Sequence, residues 1–257
     1  MTATAPLSGK HAVITGGGTG IGAAIAAELD KLGIVLTLVG RRLKPLEDTC
    51  KVLANANALS ADVTDEESVT HAFERATAQS GPVSILVNNA GAAKSMPISK
   101  TGKGAWQSML DVNLTGVFLC TRAYILQAQD TDYGRIINVA STAGLKGYPY
   151  VTAYCAAKHG VVGFTRALAL ELAHKNITVN AVCPGYTDTE LISGAVDNVV
   201  SKTGRAREEA LEQFVSANPQ GRLVSPEEVA NTVAWLCLPG SQAINGQSIA
   251  VAGGEVM

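Results

Sequence analysis

Short apolar runs rich in β-branched residues alternate with longer segments of helical periodicity along most of this 257-residue chain. Two early strand-like runs are HAVIT at 11–15 and IVLTLV at 34–39, and four later ones are VSILV, GRIINV, ITVNAV and SIAV. The segments between them, such as GIGAAIAAELDKLG at 20–33, are long enough for crossover helices. This alternation predicts an α/β fold, a doubly wound parallel sheet with helices on both faces.

One segment interrupts the alternation. Between about residues 187 and 222, two helical patterns lie between consecutive strands. Insertions at the carboxyl ends of parallel strands are where such sheets bind ligands. Because no break in composition marks a linker, we expect one domain over residues 1–257, with this insertion as its substrate loop.

Composition and charge exclude several classes of function. Apolar residues make up 47% and charged residues 16%, with a net charge of −2, so bulk charge attracts neither nucleic acid nor an anionic membrane. The five cysteines lack C-x-x-C spacing, which predicts reduced thiols, and the four histidines lack metal-ligand spacing, so we expect no metal site. With no signal-peptide pattern and no predominantly apolar 18-residue segment, the expected location is the cytoplasm.

A glycine-rich turn, TGGGTGIG at 15–22, joins the first strand pattern to the first helix pattern. Glycines at such a junction let backbone N–H groups and the helix N-terminus approach a pyrophosphate. Two registers fit a dinucleotide fingerprint, one with Gly18, Gly20 and Ala23, and one with Gly16, Gly20 and Gly22. Spacing alone does not choose between them.

Polar or small residues also end the next strand patterns, in ADV at 61–63 and NNAG at 88–91. They would lie beside the glycine turn, where a dinucleotide would bind. Structural alternatives exist for each, because Asp62 could cap the following helix and Asn88 with Asn89 could form a turn.

Tyr154 and Lys158 lie four positions apart in the helical stretch VTAYCAAKHGVVGFTRALALEL at 151–172. Side chains at this spacing share one face of a helix, so the phenol and the ammonium point into the same volume. A Tyr-x-x-x-Lys spacing arises by chance about 0.4 times in a chain of this length, so the pair needs support from elsewhere.

The ordered set TGGGTGIG, NNAG, Asn113, Ser141, YCAAK and PGYTDT resembles the motifs of the short-chain dehydrogenase/reductase family, from about residue 8 to residue 254. Within that family the chain is most similar to 3-oxoacyl thioester reductases and aromatic polyketide ketoreductases. The resemblance implies a single Rossmann domain of about seven parallel strands, an NAD(P) cofactor and a homotetramer. It also selects the glycine register of Gly16, Gly20 and Gly22.

The motif residues supply the groups that ketone reduction needs. Hydride transfer to a ketone builds negative charge on oxygen, so we expect Tyr154 to supply a proton there. The Lys158 ammonium, with an oxidised nicotinamide, would bring the tyrosine pKa towards neutrality. Ser141, after the strand RIINVAS, would orient the substrate oxygen. By resemblance, Lys158 also holds the nicotinamide ribose, and Asn113 kinks its helix and holds a water that links Lys158 to solvent.

The end of the second strand pattern bears on the choice of cofactor. An NAD enzyme of this architecture usually carries an acidic residue roughly 20 residues beyond the glycines. That position is Gly40, and it is followed by Arg41 and Arg42, whose guanidinium groups suit a phosphate. We therefore expect NADP(H) to be preferred and NAD(H) to be possible, the alternative being that both arginines start the next helix in solvent. The expected cofactor contacts are Gly16, Thr19, Gly20, Ile21, Gly22, Arg41, Arg42, Asp62, Val63, Asn89, Ala90, Gly91, Tyr154, Lys158, Pro184, Gly185, Thr187 and Thr189.

The expected function is NADP(H)-dependent interconversion of a ketone and a secondary alcohol, on a 3-oxoacyl thioester, a polyketide or an aryl ketone. An apolar pocket is predicted from Tyr148, Tyr150, Leu191, Ile192 and Phe214. A coenzyme A or carrier phosphate could use Lys202, Arg205 and Arg207, although mixed charges of this kind usually mark a solvated helix face. Two other functions stay open, a nucleotide-sensing regulator without catalysis and an epimerase or dehydratase using the same Tyr–Lys pair.

Apolar stripes on the helices expected near Val112 and Thr152 favour self-association. They contain Val117, Phe118, Val161, Val162, Phe164, Leu168 and Leu172. By resemblance, these faces would pair between subunits as a four-helix bundle in a homotetramer.

Overall fold

A computed structural model describes residues 7–128 and 131–257 as one seven-stranded sheet with the strand order β3-β2-β1-β4-β5-β6-β7. All six neighbouring pairs are parallel, which confirms the predicted fold class. The strands are β1 His11–Thr15, β2 Val35–Gly40, β3 Ala56–Ser60, β4 Val83–Asn88, β5 Gly134–Val139, β6 Ile177–Pro184 and β7 Ser248–Val251.

Helices in the connections cover the sheet. They are α1 Gly20–Lys31, α2 Leu43–Cys50, α3 Glu66–Ser80, α4 Lys103–Leu110, α5 Gly116–Gln127, α6 Thr152–Glu171, α7 Glu190–Thr203, α8 Arg207–Val215 and α9 Pro226–Cys237. A π-helical turn, Asp111–Thr115, joins α4 to α5. Helices α7 and α8 lie between β6 and β7, in the segment that interrupts the sequence pattern.

Two apolar cores lie on opposite faces of the sheet. Successive residues of β1 alternate between them, as strand geometry requires, with Ile14 in the core that contains α1 and α9 and Val13 in the core that contains α3 and α5. The strand order reverses at β1, which lies between β2 and β4. The carboxyl ends of β1 and β4 therefore border the crevice where sheets of this kind bind ligands.

The continuous helical stretch Lys103–Gln127 is long and apolar enough to span a membrane by length and composition. The sequence-based statement that no 18-residue segment is predominantly apolar is therefore wrong here. Nearly half of its apolar window, 44%, is buried inside the fold, where Leu119 and Tyr124 pack in the core beside α3. Burial of that kind is typical of a core helix.

The apolar stripes on α5 and α6 are mostly used within the chain. Five of their seven members are buried by contacts inside the subunit, namely Val117, Val161, Val162, Leu168 and Leu172. The prediction that these side chains are available to a second subunit is wrong for those five. Phe118 remains 46% exposed, and Leu126 and Leu170 are also exposed on the same two helices.

Candidate active site

The glycine turn after β1 has a backbone that side chains would obstruct. Gly16 and Gly20 have φ values of +66° and +52°, in the left-handed region that favours glycine. A Cβ on Gly22 would stand 2.1 Å from the carbonyl oxygen of Gly16. These are the three positions of the register that the resemblance selects, whereas Gly18 of the alternative register has no left-handed φ.

No side chain among the described residues caps the N-terminus of α1. Thr19 precedes the helix in an extended conformation and makes no capping hydrogen bond, and the first turn carries no acidic residue. Half-buried Ile21 packs at the edge of the α1 core. Free backbone N–H groups at a helix N-terminus attract an anion, so this turn fits the pyrophosphate of a dinucleotide.

The segment after β4 is tied to the glycine turn by hydrogen bonds. Asn89 Nδ2 donates to the carbonyl oxygens of Thr15 at 3.0 Å and Gly16 at 3.1 Å, and the backbone N–H groups of Asn89 and Ala90 both donate to Thr15 Oγ1 at 3.0 Å. Sequence reasoning missed Thr15, although it begins the glycine motif. Asn88 is not a turn residue, because it ends β4 and its amide donates to Thr121 and Asn138 in the core.

Asp62 and Val63 follow β3 on the other side of the crevice. The backbone N–H and the hydroxyl of Thr64 donate to Asp62 Oδ1, and these bonds, together with Arg41, lower the pKa of Asp62. The alternative in which Asp62 caps the next helix is wrong, because Asp65 accepts the capping hydrogen bond of α3. Val63 is buried against Gly116, where a Cβ would lie 2.9 Å from Val63 Cγ2.

Arg41 and Arg42 follow Gly40 at the end of β2, and both side chains are exposed. Neither guanidinium forms an ion pair with a carboxylate within residues 7–128 and 131–257. Arg42 occupies the N-cap position of α2, and Arg41 lies close enough to Asp62 to lower its pKa. Two cations therefore stand at this rim of the crevice with no acidic residue at the strand end itself.

The first two turns of α6 bring Tyr154 and Lys158 together at the carboxyl ends of β5 and β6. Lys158 Nζ lies 5.7 Å from the centre of the Tyr154 ring and donates to the carbonyl oxygen of Val139 at 2.8 Å. Ser141, two residues beyond β5, lies close enough to Tyr154 to lower the pKa of that phenol, and its hydroxyl accepts from the backbone N–H of Ala143 at 3.1 Å. The structure thus clusters three of the four predicted catalytic side chains around one point.

Burial dominates the protonation of this pair. It raises the pKa of Tyr154 to about 12, against a smaller opposing effect of nearby Ser141. It lowers the pKa of Lys158 to about 8. For the chain alone, removal from water sets the direction of the Tyr154 pKa shift, and the Lys158 ammonium donates to Val139. The expectation that Lys158 and an oxidised nicotinamide together bring the tyrosine pKa towards neutrality stays a prediction.

Asn113, the fourth predicted residue, is fully buried in the π-helical turn between α4 and α5. Its Nδ2 donates to the carbonyl oxygens of Ala92 at 2.8 Å and Met109 at 3.0 Å, and its Oδ1 accepts from the Ala92 N–H at 3.2 Å. A Cβ on Gly91 would lie 2.9 Å from Asn113 Oδ1 and 3.8 Å from Lys158 Nζ. Asn113 therefore ties the segment after β4 to the helix beside Lys158, and π-helical turns often occur at functional sites.

The segment after β6 turns towards the glycine turn. Pro184 ends the strand, Thr187 Oγ1 donates to the Gly185 carbonyl oxygen at 3.0 Å, and Thr189 Oγ1 donates to the Thr187 carbonyl oxygen at 3.2 Å. A Cβ on Gly20 would lie 3.2 Å from Thr189 Cγ2. The predicted cofactor contacts from β6 and β1 thus face each other across the crevice.

The predicted apolar pocket is realised in part. Tyr148 packs edge to face with Tyr186, which packs in the same way against Phe214, and Ile192 is buried in a small core of α7 and α8. Sequence reasoning missed Tyr186, although PGYTDT contains it. Two predicted pocket residues are exposed instead. Tyr150 is a loop residue with a left-handed backbone, and Leu191 lies on the outer face of α7.

The basic residues of α7, α8 and their connection are exposed, and one of them is already paired. Arg207 forms an ion pair with Asp197 and also donates to Ser193, while Lys202 and Arg205 are exposed. No group of three or more His, Cys, Asp or Glu side chains within the described ranges could hold a metal ion. All five cysteines are free thiols.

Comparisons with known proteins agree with this geometry. A family model described as short chain dehydrogenase matches residues 10–200. A solved structure of an actinorhodin polyketide ketoreductase variant with NADPH is 37% identical in sequence and superposes with a TM-score of 0.91. The match covers 96% of this chain and 97% of the ketoreductase chain. The 3-oxoacyl-acyl-carrier-protein reductase FabG of Aquifex aeolicus is 35% identical, with 96% of this chain and 98% of that protein aligned. A cis-4-hydroxycyclohexanecarboxylate dehydrogenase of Sinomonas cyclohexanicum is 37% identical, with 95% and 96% aligned.

Proposed function

The chain belongs to the short-chain dehydrogenase family, and we propose that it is an NADP(H)-dependent oxidoreductase that interconverts a ketone and a secondary alcohol. The main support for the proposal is the position of three side chains. Tyr154, Lys158 and Ser141 meet at the carboxyl ends of β5 and β6, next to a glycine turn that fits a pyrophosphate. A proton donor thus lies beside the place where a nicotinamide cofactor would bind.

Three side chains have different roles in the proton transfer. A bound nicotinamide supplies or accepts the hydride. Tyr154 Oη donates a proton to the carbonyl oxygen as negative charge develops there, and Ser141 Oγ holds that oxygen in place. An alkoxide is far more basic than the phenolate of a tyrosine whose pKa is about 12, so this proton transfer is favourable. Lys158, with a pKa of about 8, exchanges protons near neutral pH and can return one towards the tyrosine.

The geometry of the crevice supports a set of cofactor contacts. The N-terminus of α1 with Gly16, Gly20 and Gly22 would hold the pyrophosphate. Asp62 and Val63 would border the adenine ring, and Arg41 would bind the 2′-phosphate, with Arg42 secondary. Thr19 and Ile21 would contribute to the pyrophosphate site from the start of α1. The other predicted contacts would surround the nicotinamide end, namely Asn89, Ala90, Gly91, Tyr154, Lys158, Pro184, Gly185, Thr187 and Thr189.

The named relatives support two classes of substrate, acyl chains and rings. Their names specify an oxoacyl group on a carrier protein, a polyketide and a hydroxylated cyclohexane ring. The half-buried aromatic side chains Tyr148, Tyr186 and Phe214 provide apolar surface on the substrate side. We therefore propose a ketone attached to a ring or an acyl chain.

Turnover by the purified protein tests the proposal. NADPH or NADH is mixed with a 3-oxoacyl thioester, a cyclic ketone, an aryl ketone and a nucleotide sugar, and the nicotinamide absorbance is followed. Oxidation of NADPH by a ketone, abolished in Tyr154→Phe, is the expected result. Binding of NADPH without turnover would favour a nucleotide-sensing regulator, and conversion of the nucleotide sugar alone would favour an epimerase or dehydratase.

We also propose a cytoplasmic homotetramer. The five free thiols fit a reducing compartment, and exposed Phe118, Leu126 and Leu170 leave apolar surface on α5 and α6. Light scattering at micromolar concentration should report four subunits, and Phe118→Asp should reduce that number. A wild-type monomer would contradict the assembly without affecting the proposed chemistry.

A further inference from the structure

The last five residues, 253–257, which we call the tail, follow β7 and fold back over the substrate side of the site. Gly253 and Gly254 have φ values of +60° and +94°, and this left-handed pair turns the chain just after β7. A Cβ on Gly253 would lie 2.0 Å from Asn218 Oδ1, so the turn packs tightly against the segment that follows α8. It directs Glu255 towards β6, where Glu255 Oε2 lies 2.8 Å from the position of a Cβ on Gly185.

Glu255 is a buried carboxylate with few but defined partners. Its side chain is only 2% exposed. Tyr148 Oη lies within hydrogen-bond distance of Glu255 Oε1, and Lys146 Nζ lies 3.3 Å from the same oxygen. A carboxylate removed from water requires such partners, so the tail is fixed by Tyr148 and Lys146 rather than by apolar contact alone.

The hydrogen bonds of Tyr148 have one consistent direction. The phenol has a single proton, and a carboxylate only accepts, so Tyr148 donates to Glu255. The hydroxyl of Thr142, 2.7 Å from Tyr148 Oη, therefore donates to the phenol. Burial and the Glu255 hydrogen bond both raise the pKa of Tyr148, which keeps the phenol protonated. The chain of bonds starts at the neighbour of Ser141 and ends at the tail.

Tyr148 is the first member of an aromatic wall, which we define as Tyr148, Tyr186 and Phe214. The ring centres of Tyr148 and Tyr186 are 6.0 Å apart at an interplanar angle of 74°, and those of Tyr186 and Phe214 are 5.0 Å apart at 85°. Tyr148 Oη lies 2.7 Å from the hydroxyl of Thr142, the neighbour of Ser141. The wall therefore begins between the tail and the segment that carries Ser141.

We propose that Glu255 is a positioning residue that sets substrate preference. By holding Tyr148 through its hydrogen bond, Glu255 keeps the aromatic wall in one arrangement, and the wall selects ketones whose carbonyl belongs to a ring. Rings fixed edge to face bind a cyclic substrate without first being ordered, whereas an open-chain ketone is itself flexible and gains less. This inference rests on the proposed reaction and specifies its substrate class.

The test compares Glu255→Met, which has a similar shape but accepts no such hydrogen bond, with Glu255→Gln, which still accepts one. Tyr148→Phe removes only the hydroxyl, and Glu74→Met at an exposed position of α3 is the matched control. KM and kcat are measured with NADPH for a cyclic and an open-chain ketone. Losing a hydrogen bond to a charged group should raise KM for the cyclic ketone by about tenfold in Glu255→Met and Tyr148→Phe. KM for the open-chain ketone, kcat and NADPH affinity should stay within about twofold, and Glu255→Gln should restore most of the preference.

Two further measurements make every outcome decisive. A crystal structure of Glu255→Met should show the Tyr148 ring displaced, and the Glu255→Met/Tyr148→Phe double variant should be no worse than either single variant, because both remove one interaction. An equal loss for both ketones, a Tyr148 ring that stays in place, or additive losses would overturn the inference. A wild-type protein that reduces no ketone would instead overturn the proposed function, while the crystal structure would still decide the role of Glu255.

Discussion

Lys158 Nζ donates a hydrogen bond of 2.8 Å to the carbonyl oxygen of Val139, which fastens helix α6 to the carboxyl end of β5. The bond holds the ammonium below the Tyr154 ring, where the proposed cofactor ribose and proton relay both need it. We expect Lys158→Met to weaken NADPH binding and to lower kcat by about 100-fold, a typical loss for an acid–base group. Fluorescence titration and steady-state rates measure the two effects separately.

The pH dependence of that binding follows from the lysine. Because burial lowers the Lys158 pKa to about 8, the free protein loses this positive charge as the pH rises through that value. NADPH and NADH affinity should therefore both fall above about pH 8 in the wild type and vary less in Lys158→Met. An identical pH profile in the two proteins would contradict this role.

Tyr154→Phe removes one hydroxyl from the site. Since Tyr154 is the proposed proton donor, kcat should fall by about 100-fold or more while the NADPH dissociation constant stays nearly unchanged. Tyr150→Phe, at an exposed loop position, is the matched control and should keep its rate. Retention of more than about a tenth of the wild-type rate in Tyr154→Phe would remove it from the acid–base role.

Local sequence patterns predicted most of the fold because their causes are local. Strand and helix periodicities are set by neighbouring residues, and the spacing of Tyr154 and Lys158 places them on one helix face whatever surrounds them. The pairing of Tyr148 with Glu255 joins residues 107 positions apart, and no periodicity connects them. The pKa of Tyr154 also depends on tertiary burial, which raises it in the chain alone, and a sequence pattern does not show how deeply one side chain is buried.

The same limit explains the apolar stripes. A helical pattern shows that one face of α6 is apolar, but the sequence does not say whether its own sheet or a second subunit covers that face. Leu168 and Leu172 are covered within the chain, whereas Leu170 is 79% exposed. Leu170 thus differs in environment from the two apolar residues that flank it, although all three are leucines in one helical segment.

Gly22→Ala tests the close approach in the cofactor turn. The new Cβ would stand 2.1 Å from the Gly16 carbonyl oxygen and 2.6 Å from Asn89 Nδ2, so the backbone of the turn must move. We expect a loss of about 2 kcal/mol or more in the free energy of unfolding, in the range of strained backbone sites, together with weaker NADPH binding. Gly194→Ala, on α7 with nothing within 4 Å of its Cβ, should instead stabilise by about 0.5–1 kcal/mol. Urea unfolding measures both, and equal effects would contradict the steric explanation.

His11 makes stability depend on pH. Its Nδ1–H donates to the Gly81 carbonyl oxygen and its Nε2 accepts from the Thr37 hydroxyl, both at 2.8 Å, and burial lowers its pKa below 6.5. Below about pH 6.5 the imidazole binds a proton in the unfolded chain but not yet in the folded chain. The free energy of unfolding should therefore decrease as the pH is lowered, until the pH reaches the pKa of His11 in the folded chain. His11→Gln should flatten this dependence in urea titrations, while His71→Gln, at an exposed site on α3, should leave it unchanged.

Arg41→Ala tests the choice between the two nicotinamide cofactors. The Arg41 side chain is exposed at the end of β2, and it contributes to the lowered pKa of Asp62 without forming an ion pair with it. A guanidinium in this position can therefore turn to a 2′-phosphate at little cost. Losing a hydrogen-bonded charge pair should raise the NADPH dissociation constant by about 10- to 100-fold. NADH, which lacks the 2′-phosphate, should bind about as before, because it makes no bond that depends on the Arg41 guanidinium. Arg42→Ala should have a smaller effect and Arg75→Ala, on the exposed face of α3, none. Equal or better catalytic efficiency with NADH in the wild type, or unchanged NADPH affinity in Arg41→Ala, would contradict the proposed preference.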